Sequence, residues 1–369
     1  MMQTFQQDCM ELAQRKFREG KVDRRTLLGA LAALGIMPAG RAAMAQGTQE
    51  LVMVNWGGVA NEGFGNNYGA PFMAANPGWK VTQDSTGPSA GRIRSMVTSG
   101  HTTWDLCDSS ASSAILLGKA GLLNAIDYSV VDKANVISPA FAMEHGAAPY
   151  SFSSVLVYDS AKFPNGGPAS WADFYDLQKF PGTRLLRRDA LAVLDGIQMA
   201  LGKSPAALYP LDVPACLAKL REIRRSCVFW TNGSESEQFL RTGEAVMGQI
   251  WHTRAKVLEG ETNGRLKFVW NQGLLQGGIF VSPKGNPGGA MAQKLLASML
   301  AHPEPQVELL KFLGNGPTNP RAAAVVPAEF KRFNPTDPAN VAVQCTLDGT
   351  WWGENYAEVN SKVVDVITG

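Results

Sequence analysis

The chain has 369 residues, 45% of them apolar and 18% charged, with a formal net charge of +2. These proportions describe a globular protein and exclude a disordered one, and the length exceeds what one hydrophobic core usually serves, so two domains are expected. Residues 1–45 hold seven Lys/Arg against four Asp/Glu, which leaves the other 324 residues at a net −1 and removes any electrostatic argument for binding nucleic acid or a membrane.

The N-terminus reads as an address rather than as part of a fold. DRRTLL (Asp23 to Leu28) carries a twin arginine, an apolar run follows from Leu27 to Met37, and Ala43-Met44-Ala45 supplies an A-x-A cleavage site. The run is about half the ~20 residues that a membrane-spanning helix needs. The order resembles a Tat export signal, cleaved after Ala45, and places the mature protein in a bacterial periplasm.

Beyond it, short apolar runs alternate with helical segments. Strands are expected at Leu51–Asn55, Trp79–Gln83 and Trp104–Asp108, with helices at Pro88–Thr98 and Ser110–Lys119. A longer strand is expected around Pro149–Tyr158, a helix after the capping Ser170, and a strand within Phe180–Asp189. Helices follow at Ala190–Leu201, Val213–Arg225 and Glu235–Arg241, and strands at Ala245–Trp251, Leu266–Trp270 and Gly277–Val281. Two more helices span about Gly289–Ala301 and Pro305–Leu313, and the tail from Trp351 is helical. Such alternation means an α/β structure built on parallel sheet.

Four cysteines lie outside the leader: Cys107, Cys216, Cys227 and Cys345. An even count in an exported chain permits disulfides. Cys216 and Cys227, flanking one helix, form the first candidate pair; buried free thiols are an equal alternative. No C-x-x-C spacing supports zinc, no two histidines are spaced i, i+4, and no carboxylate cluster suits calcium, so neither a metal nor a cofactor is expected.

The ordered set of segments is more specific than any one of them. Asn55-Trp56 ends the first strand; WDL (Trp104 to Leu106) is followed by SSAS (Ser109 to Ser112); then come SWADFYDLQKFPGTR, DVPACLAKL, GEAVMGQIW (Gly243 to Trp251), IFVSPKGN and GPTNPRA. Over nearly the whole mature chain this resembles the spermidine/putrescine-type substrate-binding proteins of bacterial ABC importers. The resemblance implies a type II periplasmic-binding-protein fold: two α/β lobes with a solute clamped between them and delivered to a membrane permease by a monomer. Lobe one would comprise residues 49–157 and 277–325, and lobe two 158–276 and 326–369, closing about a hinge.

Ligands of such sheets sit beyond the carboxyl ends of strands, which nominates six residues. Trp56, before Gly57 and Gly58, would be an aromatic wall. Ser110, at a strand-to-helix junction, would hold a polar or anionic group. Of Arg187 and Arg188 only one faces the cleft of an extended strand, and Arg188 is taken as the inward one, with Asp189 beside it. Trp251 corresponds to an aromatic that stacks on the ligand, and Arg254 follows it. Here the sequence departs from the resemblance: the polyamine proteins place an acid three positions after that Trp, and another at the position of Gly278. An arginine at 254 would repel a diamine. A small carboxylate or a zwitterion such as a γ-amino acid is therefore favoured, with a polyamine as the alternative.

GPSAG (Gly87 to Gly91) also matches the G-x-S-x-G pattern of hydrolases. An exported enzyme using Ser89, with His252 as the best available base, is the competing class. Pro88 immediately before Ser89 fits a helix start better than a strained elbow.

Overall fold

The computed structural model describes residues 49–369, with Lys16 and Glu19; the twin arginine, apolar run and cleavage site read from the sequence (Asp23 to Ala45) lie outside the described residues. Residues 49–369 fall within one compact unit. Its strands are β1 (Gln49–Val54), β2 (Trp79–Asp84), β3 (Leu106–Ser109), β4 (Ala142–Met143), β5 (Gly146–Asp159), β6 (Arg184–Arg187), β7 (Cys227–Trp230), β8 (Met247–Trp251), β9 (Leu266–Val281) and β10 (Cys345–Thr346). They are hydrogen-bonded in the order β2-β1-β3-β9-β5-β8-β6-β7, with β4 against β5 and β10 against β9. Helices fill the connections, and the α/β class expected from the sequence is the one found.

The sheet is mixed rather than parallel. β1 pairs in parallel with β2 and β3, and β6 with β7 and β8, because helical crossovers join each of these strands. The two groups are connected by β5 and β9, which run antiparallel to each other over most of their length. One group packs Leu51, Met53, Leu106 and Phe280 against Phe64, Leu295 and Leu309. The other packs Leu186, Leu156 and Met247 against Ile197, Leu217 and Leu220.

Two expected strands, at 266–270 and 277–281, are one. β9 is continuous because Trp270 to Gly273 bulge out between the pairs Val269–Leu156 and Leu274–Ser154. Gln272 takes a left-handed backbone (φ 60°) there, and its side chain and carbonyl accept hydrogen bonds from the Trp171 backbone N–H (2.9 Å) and indole N–H (2.8 Å). The bulge thus docks the helix Trp171–Tyr175. Alternation was unreadable at this point since the polar Asn271, Gln272 and Gly273 look like a loop.

The first-choice disulfide is also corrected. All four described cysteines are free. Cys216 lies on the buried face of Val213–Ile223 and its thiol contacts Gln198 Oε1 (3.2 Å), while Cys227 donates to the Ile223 carbonyl (3.4 Å). Flanking one helix did not bring the two side chains to a common partner.

The tail helix Gly349–Thr368 has two packed sides. Trp352, Val359 and Val363 enter the core with Leu194 and Leu217. On the other side a Cβ at Gly349 would meet Ala111 Cβ at 2.7 Å and one at Gly353 would meet Ile115 at 2.8 Å, so both glycines are required for close approach to the helix Ala111–Lys119. Lys119 pairs with Glu354 at 3.0 Å along the same seam.

Candidate ligand-binding site

β1, β3, β6 and β8 all point their carboxyl ends at one cavity of about 400 Å³. That volume lies in the range of sites for small molecules. Of the residues nominated from the sequence, Trp56, Ser110, Asp189, Trp251 and Arg254 line it, and so does Ser89. Arg188 does not. It is exposed and only its backbone N–H is engaged, by the Trp230 carbonyl (2.8 Å). Arg187 is the inward residue. The choice between them depended on the phase of a four-residue strand, which the sequence alone does not set.

Arg187 lies beside a pair of indoles and an acid. Its guanidinium lies 5.6 Å from the Trp230 ring and 5.5 Å from the Trp251 ring, and 3.4 Å from Asp189 Oδ2. The two indoles meet edge to face with centroids 5.1 Å apart. Asp189 also accepts from the Tyr356 hydroxyl (3.0 Å), so the tail helix contributes to the same wall. The aromatic faces and the ion pair bias the position of the guanidinium, a group whose planar fork suits a carboxylate. Arg254 is less free, since its Nη1 lies 3.0 Å from Glu237 Oε1 and Glu237 also pairs with Arg241.

Four helices open their first turns onto the cavity: Ala90–Ser99, Ala111–Lys119, His252–Glu261 and Gly349–Thr368. Ser89 Oγ accepts from Arg92 N and Ser110 Oγ from Ser113 N, each at 3.2 Å, so both serines are N-caps. Converging N-termini favour negative charge in the space between them.

The opposite charge comes from Asp108, the last acid of β3, which sequence reasoning passed over between WDL and SSAS. It is fully buried; Tyr150 donates its hydroxyl to Oδ2 at 2.7 Å. Burial pushes its pKa up to about 7, against the opposing pull of Tyr150, the Ser109 backbone and Trp56. No hydrogen bond of normal geometry reaches Oδ1. Trp56 itself is 58% exposed. Trp352, Tyr356, Tyr150 and Gln276 complete the lining. The tail residues were unreachable from local sequence because long-range packing alone puts them here.

The missing carboxylate at position 278 has a steric cause. Gly278 faces Tyr150 across the β5–β9 ladder, and a Cβ there would lie 2.0 Å from Tyr150 Cζ. The aromatic ring occupies the space an acidic side chain would need.

The strand expected at Ala245–Trp251 is β8, which ends at Trp251, and a helix begins at His252. His252 is fully buried: Nδ1 accepts from Ser153 N (3.0 Å) and Nε2 donates to the Gly314 carbonyl (2.8 Å). It is a cross-link between β5 and the turn after Pro303–Leu313. With both nitrogens committed it supplies no base to Ser89, and the hydrolase geometry is not assembled. Burial lowers its pKa to about 4. The native imidazole stays neutral while the unfolded one takes a proton below pH ~6.5, so its contribution is intact above that value and lost as pH falls towards 4, about 3 kcal/mol in all. Asp108 has the opposite slope, because its raised value makes the native state the better proton binder. The diagnostic quantity is therefore the difference between wild type and His252→Gln in urea unfolding, which should shrink from pH 7 to pH 4.5; a constant difference would contradict this.

Fold and site together define a two-lobe solute-binding protein. A profile of the family described as bacterial extracellular solute-binding protein matches residues 67–340. The chain belongs to that family and is a substrate-binding component of an ABC transporter. It is 28% identical over 326 residues to the gamma-aminobutyric acid-binding protein of Pseudomonas aeruginosa, covering 87% of this chain and 91% of that one. Among solved structures it resembles an ABC transporter substrate-binding protein from Bradyrhizobium japonicum (31% identity, TM-score 0.81, 87% and 100% of the two chains). It also resembles the periplasmic binding protein AgtB of A. tumefaciens R10, solved with agropinic acid (30%, 0.75, 87% and 99%). The finer likeness read from the sequence, to spermidine/putrescine proteins, is distant. PotD from Streptococcus pneumoniae is 19% identical with a TM-score of 0.66 over 87% of this chain and 100% of that one, a likeness of fold alone. Among the described residues no helix is long and apolar enough to cross a membrane.

Proposed function

We propose that this chain binds a small zwitterion, an amino acid with separated ammonium and carboxylate groups, and hands it to a membrane permease from the periplasm. The observation that carries the reading is Arg187, set beside the contacting indoles of Trp230 and Trp251 and opening onto the same cavity as four helix N-termini. A carboxylate is the group that satisfies both features. Asp108, Asp189 and the aromatic walls offer the complementary surface for an amine. The γ-aminobutyric acid named for one relative fits this chemistry, the agropinic acid named for another shares its carboxylate, and a diamine has no partner for Arg187. In this reading residues 49–157 with 277–325 and residues 158–276 with 326–369 are the lobes, the leader through Ala45 is removed on export, and the protein works as a monomer.

Thermal unfolding across a ligand panel tests it. A ligand at 100 times its dissociation constant should add about 2.7 kcal/mol of stability. We expect such shifts with γ-aminobutyric acid or related ω-amino acids and none with putrescine or spermidine. Stabilisation by the polyamines alone would restore the alternative ligand class.

A further inference from the structure

Within the cavity one buried charge has no role in holding a carboxylate. Asp108 is fully buried, its Oδ2 is fixed by Tyr150, and its Oδ1 has no hydrogen-bond partner. A buried carboxylate oxygen without a hydrogen bond of normal geometry is costly, since its desolvation is only partly offset. Nothing in the core demands an acid there: the neighbouring strand residues Leu106 and Cys107 are buried among apolar side chains. The cavity does offer a reason. Asp108, Tyr150 and Trp56 line one part of it, and Arg187 lines another from a strand separated from β3 by β9, β5 and β8. The two charges therefore approach a solute from different parts of the sheet.

We propose that Asp108 is the charge-selecting residue for the ammonium end of the ligand, with the faces of Tyr150 and Trp56 forming the rest of that subsite. The tyrosine has two functions. Its hydroxyl orients the carboxylate by holding Oδ2, and its ring fills the space beside Gly278, so that β9 contributes no acid of its own. An ammonium group reaching this wall meets a carboxylate in a dry setting, where attraction between opposite charges is far stronger than in water, and an aromatic face that adds a cation–π contribution. Arg187 then takes the carboxylate end. This subsite rests on the zwitterion reading above and adds which acid recognises the amine.

Calorimetric titration with two probes, γ-aminobutyric acid and butyrate, separates the inference from that reading. Butyrate keeps the carboxylate and chain but lacks the ammonium. Asp108→Asn preserves shape, and should weaken γ-aminobutyric acid by about 30-fold or more while leaving butyrate within about twofold, the loss expected of one charge-assisted contact. Tyr150→Phe, which removes only the hydroxyl, should weaken the amino acid by about fivefold with the same sparing of butyrate, and decides the matter if the asparagine variant does not fold. Unchanged γ-aminobutyric acid affinity in these variants, or equal losses for both probes, overturns the role of Asp108 and leaves the zwitterion reading intact. Failure of the wild-type protein to bind either probe overturns both.

Discussion

Arg187→Ala should weaken binding of a small ω-amino acid by about 30- to 100-fold, the loss expected when a charge-assisted pair with a carboxylate is removed. Arg188→Ala, one residue on, should change affinity by less than about twofold, as usual for a solvated surface charge. The contrast follows from the strand. Arg187 reaches the cavity beside two contacting indoles, and Arg188 is exposed. Because Arg187 also pairs with Asp189 at 3.4 Å, its removal leaves that acid with the Tyr356 hydroxyl as its neighbour and turns the wall negative. Repulsion of the ligand carboxylate then adds to the lost contact. Calorimetry on the two variants checks this; a damaging Arg188→Ala with a harmless Arg187→Ala would reverse the assignment.

Gly278→Asp is the second large effect. It installs the acid that a polyamine site would want, yet it should give an unstable protein rather than a diamine binder. Cβ at 278 would lie 2.0 Å from Tyr150 Cζ, and Tyr150 is buried with its ring packed against Phe64 and Phe280. Displacing the ring costs about 3 kcal/mol as overpacking. It also breaks the Tyr150 bond to Asp108 and leaves two carboxylates close together in a buried setting. Urea unfolding should show the destabilisation, and titration with putrescine should show no binding. A variant as stable as wild type that gains putrescine would contradict the steric account.

Much of this fold was legible because apolar periodicity and caps speak locally. Ser89, Ser110 and Ser170 cap helices where the sequence placed them near helix starts. Strand ends at Trp56 and Trp251 pointed to the cleft because α/β sheets place ligands there. What failed was long-range or depended on phase. Arg188 was preferred over Arg187 because four residues give no alternation against which to count. β9 was split because its bulge is polar, and the polarity belongs to Gln272 docking Trp171. Asp108 was overlooked because an acid at the end of an apolar strand looks solvated until its partner Tyr150, 42 residues away, is in place. Arg254 was read as a free cation, and Glu237, which shares its charge, is far enough along the chain to be invisible.

The central claim is that the cavity is built for a molecule with both charges. Its most direct test is the ratio of dissociation constants for 4-aminobutyrate and 1,4-diaminobutane, two probes of equal chain length, measured by calorimetry on one preparation of the protein. The structure predicts that the amino acid binds at least about 100-fold more tightly, since the diamine places a cation against Arg187 where a charged pair worth ~1.5–3 kcal/mol should form. Equal affinities, or tighter binding of the diamine, would contradict it.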